Sequence, residues 1–380
     1  MSLLQAMLVI GVGLATTWLY FRLPVSDHPV SILLNGLSGL CWAAEHDGCA
    51  TPAAVITDDM RYTGVQPPPS SGNLHGEIEY LDGDIPVTHW FEQAGESIYH
   101  FVTAGDPADE VVVIVPGLPE SWWAFHHQIA DLSRDYYVIA VDMKGFGQSD
   151  KRLHLNYTNS VMAQEIATLL NRLGVETFNL MGHDRGAVLT DHMTHVPALQ
   201  GRIVRYVRMQ QSFNEPHGEP VPPHFLLKTW FGRALFRSHN FVPVVYQGWF
   251  ESDLSPSDIK RLKYEFTFRG TAAAICKYFE TTNFDIELAD RHNFLFDSMT
   301  MPMLILQALY DKGQHPEEYD RSPEFVWDAR VQFIHSNHFL HLENPRATNR
   351  AIRRFFAETN GKKPAPEVTK GARAAAQLAL

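Results

Sequence analysis

Three short segments of this chain carry the residues best placed for nucleophilic chemistry. Gly182-His183-Asp184-Arg185-Gly186 follows directly on the apolar run TFNLM. Glycines flanking Asp184 at two residues on each side give the small-x-acid-x-small spacing of a strained strand-to-helix turn, where the backbone must approach closely. A carboxylate held there can attack carbon and form an ester, and the next helix aims its first amide groups at the site. An aspartate that only caps a helix after a strand has the same local pattern. Two further positions decide between these readings. Asp311 lies in Leu-Tyr-Asp after the run MLILQAL, and His338 lies in SNHFLHLENP after VQFIHS. Nucleophile, acid and histidine then come in the chain order of a hydrolytic triad, each at the C-terminal end of a strand.

These positions need a sheet to bring them together. EVVVIVPG, from Glu110 to Gly117, is a run of β-branched residues of the kind buried on both faces of a parallel sheet. Strand-like segments Ile85 to Phe91 and Ser97 to Thr103 precede it. YYVIAVD, TFNLMG and IVRYVRM follow, alternating with an amphipathic segment from Trp122 to Arg134, a helix from Ser160 to Leu173 and a helix from Gly186. Residues 212–299 lose the buried β runs and become aromatic and helix-like, and the sheet pattern resumes at MLILQAL and VQFIHS. The expectation is an α/β fold: residues 77–211 and 300–358 form the core, 212–299 an inserted helical cap, and 359–380 a flexible tail.

The same residues resemble the α/β-hydrolase superfamily, in the branch with an aspartate nucleophile: epoxide hydrolases, haloalkane dehalogenases and haloacetate dehalogenases. The resemblance runs from about residue 85 to 357. It includes Pro116-Gly117-Leu118-Pro119-Glu120-Ser121-Trp122, similar to the branch's His-Gly-x-Pro segment, and the turn Asp142-Met-Lys-Gly-Phe-Gly-Gln-Ser-Asp150. It implies a mostly parallel sheet flanked by helices, an oxyanion hole from the amides of Leu118 and Arg185, substrate contacts at Trp122 and Gln247, and a cis peptide before Pro119. Pro116 replaces the family histidine, so a hydrogen bond that normally supports the oxyanion loop is expected to be missing.

The cap distinguishes the branches. Val-Val-Tyr246-Gln247 before Gly-Trp-Phe-Glu resembles the epoxide hydrolase segment with the first ring-opening tyrosine, and Gly270-Thr-Ala-Ala-Ala-Ile-Cys-Lys-Tyr278 resembles the segment with the second. When a carboxylate opens an epoxide an alkoxide develops, and two phenol O–H groups can stabilise and protonate it; a halide leaving group needs no proton. Tyr246 and Tyr278 can also be read as two of many cap aromatics, with Tyr264 a less supported substitute. Arg185 after the nucleophile resembles haloacetate dehalogenases, but their second carboxylate-binding arginine would fall at Val188. The expected reaction is hydrolysis of a lipophilic epoxide to a vicinal diol through an Asp184 ester. The alternatives are a dehalogenase on the same fold, or an inactive membrane-tethered binding protein.

Composition sets the remaining bounds. With 45% hydrophobic and 19% charged residues, a disordered or collagen-like chain is excluded. A net charge of −12 without a dense basic stripe argues against nucleic acid as a partner. Cys41, Cys49 and Cys276 cannot build a disulfide framework or a Cys-rich zinc site. No metal or other cofactor is implied: His192 and His195 lack a nearby acidic ligand, Gly145-x-Gly147-x-x-Asp150 lacks the third glycine of a dinucleotide turn, and no G-x-S-x-G serine elbow occurs.

From Ser2 to Phe21 there is no charged residue, and Trp18, Tyr20 and Arg22 mark its far end. That run matches the ~20 residues needed to span a bilayer, with aromatics at the interface. Residues 1–24 are expected to be a retained single-pass membrane anchor, with a cleaved signal peptide and a buried helix as alternatives. Residues 25–76 then form a connecting segment ending in the Pro-rich linker QPPPSSGNLHG.

Overall fold

The computed structural model describes residues 75–82, 84–211, 245–246, 250–266, 268, 270–312, 314, 316 and 325–360. The anchor of residues 1–24, most of the 25–76 segment, Gln247 and the tail beyond residue 360 lie outside them.

The described residues build one nine-stranded sheet in the order β1-β2-β3-β5-β4-β6-β7-β8-β9. The strands are β1 (Ile78–Leu81), β2 (Ile85–Ala94), β3 (Ser97–Ala104), β4 (Val111–Val115), β5 (Tyr137–Val141), β6 (Phe178–His183), β7 (Ile203–Met209), β8 (Met303–Ala308) and β9 (Ala329–Ile334). β1, β2, β3 and β5 pair antiparallel in that sequence, and every pairing from β5 through β4 to β9 is parallel. Three of the parallel strands lack regular alternation. β4 (VVVIV), β6 and β8 are buried along almost their whole length because helices cover both faces. Truncating a core side chain such as Ile114 to alanine would cost about 2–5 kcal/mol.

Helices α1 (His126–Leu132), α2 (Asn159–Arg172), α3 (Arg185–His195) and, after β9, α7 (Leu340–Glu343) and α8 (Pro345–Glu358) accompany this sheet. Between β7 and β8 the chain forms α4 (Pro256–Phe266), α5 (Thr271–Thr281) and α6 (Phe284–Asp290). No helix among the described residues is long and apolar enough to cross a membrane.

The segment from Trp122 to Arg134 is not one helix. Ser121 Oγ accepts the Trp123 amide at 3.3 Å, which winds Trp122–Phe125 into a 3₁₀ turn before α1 begins. β1 was not expected: it is a four-residue edge strand with little apolar patterning, and it pairs with β2 only.

α3 is locked to the sheet by a buried polar network. Arg208 of β7 donates to Asp191 at 3.0 and 2.9 Å, and the Tyr206 hydroxyl donates to the same carboxylate at 2.8 Å. Arg208 and Asp191 are fully buried, so breaking the pair from one side would strand a charge, at about 3–5 kcal/mol. This fixes the helix that begins at the candidate nucleophile.

Candidate active site

Asp184 sits between β6 and α3 with φ 48° and ψ −120°, a conformation that a non-glycine residue holds only under constraint. Its neighbours explain the glycines. A Cβ on Gly186 would lie 2.2 Å from the Pro116 carbonyl oxygen, and one on Gly182 would lie 2.3 Å from Thr190 Oγ1. A side chain at Gly182 would force β6 and α3 apart, and one at Gly186 would push α3 off the end of β4.

The structure brings Asp184, Asp311 and His338 together from the C-terminal ends of three parallel strands. Asp311 Oδ2 accepts His338 Nδ1–H at 2.8 Å, and His338 Nε2 stands 3.8 Å from Asp184 Oδ2. The Phe250 ring stacks on the imidazole at 4.1 Å between centroids. Gln210, at φ 42° just beyond β7, accepts the Ala308 amide with Oε1 at 2.5 Å and donates Nε2–H to Asp311 Oδ2. Burial alone would lower the pKa of His338, but the Asp311 carboxylate and the Asp184 charge outweigh it and raise the value to about 9.

The other oxygen of Asp184, Oδ1, accepts the Leu118 amide at 3.0 Å. That is the placement an oxyanion donor needs. The Leu118–Pro119 peptide is cis. Arg185 opens α3, and its side chain turns into the cap.

The loop at Pro116 has support from a source the sequence did not indicate. Glu120 Oε2 accepts the Gly117 amide at 2.6 Å and His183 Nδ1–H at 2.9 Å. His183 Nε2 lies 3.1 Å from the His338 carbonyl oxygen, so both ring nitrogens face oxygen atoms. His341 Nε2 lies 2.8 Å from Glu120 Oε1, off the line of a good hydrogen bond. The missing family histidine therefore does not leave the loop unsupported. Opposing burial, the two histidines hold Glu120 well below the usual carboxylate range, and burial lowers His341 to about 4. Glu120, His183 and His341 could each offer one ligand atom, all within 4.8 Å of one another, to a metal. Of the three, Glu120 and His183 are hydrogen-bonded, and they tie the Gly117 loop to the backbone of His338.

Both cap tyrosines are buried. Tyr246 stacks on Phe339 at 4.0 Å, and its hydroxyl has no hydrogen-bond partner among the described residues. Burial, with the charges of Glu120 and Asp184, pushes its pKa well above the ordinary phenol value. Tyr278 accepts Arg185 Nε–H at 2.8 Å and donates to Asn159 Oδ1 at 3.3 Å. Glu287 of α6 grips the Arg185 guanidinium through Nη1 at 3.1 Å and through Nη2. Tyr264 instead packs against Phe268 and Arg261. Trp122 is buried with its ring against His89 and Arg261, and its amide donates to Asp142 Oδ1 at 2.7 Å. None of these contacts is with Asp184, Asp311 or His338.

Residues 110–345 match the α/β hydrolase fold family, a span that contains the elbow, the acid and the histidine. The chain belongs to that family. Within it this hydrolase is most like the epoxide hydrolases. It is 33% identical over 321 residues to epoxide hydrolase 3 of Xenopus tropicalis, covering 76% of this chain and 79% of that protein. Among solved structures it resembles the epoxide hydrolase CorEH, with a TM-score of 0.60 at 19% identity, over 72% of this chain and 99% of that one. It also resembles a loop variant of the haloalkane dehalogenase DbeA from Bradyrhizobium elkanii, with a TM-score of 0.61 at 18% identity, over 77% and 99%. At such identities the two structures speak for the shared fold.

Proposed function

We propose that this protein is an epoxide hydrolase that converts a lipophilic epoxide and water to a vicinal diol through a covalent ester on Asp184. Asp184 Oδ2 attacks a ring carbon, the C–O bond opens, and Tyr246 and Tyr278 meet the developing alkoxide. His338, oriented by Asp311, then takes a proton from water, which attacks the ester carbonyl while the amides of Leu118 and Arg185 hold the oxyanion. The observation that carries this reading is a pair of buried phenol groups in the cap, Tyr246 stacked on the Phe339 that follows His338 and Tyr278 bonded to the Arg185 that follows Asp184. A lipophilic substrate suits a site walled by Phe250, Phe339 and Phe146, the last edge-on to Tyr278 at 5.8 Å. The names of the sequence relatives point the same way.

A haloacetate dehalogenase would need a cation free to bind the substrate carboxylate. Arg185 is the residue in that position, and its charge is already paired with Glu287. The residues proposed here require no cofactor. We assign membrane attachment to residues 1–24 on their sequence alone. The function is tested by a panel of aliphatic, aryl and fatty-acid epoxides beside haloalkanes and fluoroacetate, scored for diol and for halide. Diol without halide supports the reading; halide without diol would replace it with a dehalogenase.

A further inference from the structure

The two cap tyrosines have opposite surroundings. Resting on the epoxide reading above, we propose that Tyr278 alone gives its proton to the oxygen of the opening ring, that Arg185 is the positioning residue that enables it, and that Tyr246 stays protonated and only donates a hydrogen bond.

Arg185 Nε–H donates to the Tyr278 oxygen at 2.8 Å. A guanidinium has no acceptor, so this bond leaves the phenol proton on its far side. That proton goes to Asn159 Oδ1 over a long 3.3 Å bond, and Asn159 is itself oriented by donating Nδ2–H to Glu287 Oε1 at 3.2 Å. A weakly held proton on a phenol whose oxygen already meets a cation is readily redirected to a stronger base. Tyr246 has neither feature. Its hydroxyl meets no partner among the described residues, and the charges acting on it, Glu120 and Asp184, are both negative. A phenolate formed there during ring opening would lie in the field of the Glu120 carboxylate, with no cation to offset it.

The charge balance follows. A lone pair of the Asp184 carboxylate forms the new C–O bond, the ring C–O bond breaks with its electrons on oxygen, and the Tyr278 proton moves to that oxygen. Asp184 becomes a neutral ester and Tyr278 a phenolate, so one negative charge passes from one neighbour of Arg185 to another. In the second half, water gives one proton to His338 and its oxygen to the ester carbonyl. The ester C–O bond breaks, the leaving oxygen is protonated, and the remaining proton returns to Tyr278 as Asp184 regains its charge. The groups facing Tyr278 are Arg185, Glu287, Asn159 and Asp184. Burial raises this phenol and Glu287 and Asp184 add to that, but Arg185 opposes them, leaving the pKa at about 12. Tyr246 has no such opposing cation.

The test follows ester formation as an intact-mass adduct with styrene oxide, or another epoxide that the panel shows is turned over, in a His338→Gln background that stops after ring opening. Replacing Arg185→Gln and Glu287→Gln together avoids leaving a lone buried charge. That replacement should slow adduct formation roughly 10- to 100-fold. The same factor should persist with Tyr246→Phe and shrink below about threefold with Tyr278→Phe, because coupled residues are not additive. Arg185→Lys, which keeps the cation, should recover part of the rate. Heavy water should slow adduct formation in the Tyr246→Phe protein more than in the Tyr278→Phe protein. An equal slowing in the Tyr278→Phe background would overturn the assignment. Absence of any adduct across the epoxide panel would overturn the epoxide reading itself.

Discussion

One imidazole joins two carboxylates at unequal distances: His338 Nδ1 is 2.8 Å from Asp311 Oδ2, while Nε2 is 3.8 Å from Asp184 Oδ2. Only the first is a hydrogen bond. Asp184 Oδ2 is therefore not engaged by the base and can meet a substrate carbon, while its partner oxygen is held by the Leu118 amide. The gap on the Nε2 side is where an attacking water would have to stand once the ester has formed.

His338 should control the pH dependence of the second half-reaction. Its pKa of about 9 leaves it largely protonated at neutral pH, and the Asp184 charge is one cause. Ester formation removes that charge, so the base should be released when it is needed. Single-turnover ester hydrolysis should rise with pH to a plateau with a midpoint below about 9, and Asp311→Asn should move the midpoint down while slowing the step. Stability should follow the same group. Its folded value exceeds the ordinary 6.5, so its contribution is complete below about pH 6.5 and is lost as pH rises through about 9. Denaturation across that range should show the loss in the wild type and less of it in His338→Gln.

Glu120 should matter for both stability and rate. Glu120→Gln replaces the buried charged acceptor that the Gly117 amide and the His183 ring share with a neutral one, which should cost about 1–3 kcal/mol in denaturant unfolding. It also loosens the Gly117 amide, next to the Leu118 donor, and ester formation should slow about 10-fold or more. Unchanged unfolding would mean that the Glu120 charge does not hold the loop.

Tyr246→Phe and Tyr278→Phe should each slow ring opening by roughly 10- to 1000-fold, and the double change should nearly abolish it. Rapid-quench measurement of the adduct checks this apart from ester hydrolysis. Full turnover in both single variants would remove the cap tyrosines from the chemistry.

Replacing residues 1–24 with a soluble leader should move the protein from a carbonate-washed membrane pellet to the supernatant and retain turnover. Persistent carbonate-resistant association would contradict a single N-terminal anchor.

The parts of the molecule legible in sequence share a physical cause. Strands such as VVVIV and MLILQA are apolar at all or nearly all positions because both faces are covered, and the elbow has glycines because Pro116 and Thr190 press on it. Residues whose partners lie far along the chain were not legible. Glu120 reads as an ordinary loop acid until the fold sets it against His183 and His341. Gln210 shows no signal beyond its place just after a strand, yet it orients Asp311. Glu287, in the short helix FDIELAD, gives no sign that it neutralises an arginine 102 positions away. Trp122, a substrate contact by resemblance, lies in the 3₁₀ turn with its ring against His89 and Arg261, neighbours that its own segment does not announce.

The central claim is that Asp184 is a nucleophile and not a general base, and a single turnover in ¹⁸O-water with enzyme in excess tests it most directly. The covalent route passes an unlabelled carboxylate oxygen from Asp184 to the diol and leaves ¹⁸O in the Asp184 peptide, since water attacks the ester carbonyl. A nucleophilic Asp184 gives unlabelled diol on the first turnover, a labelled Asp184 peptide, and a His338→Gln protein heavier by one substrate. Label in the diol at the first turnover, with no adduct in the His338 variant, would contradict it.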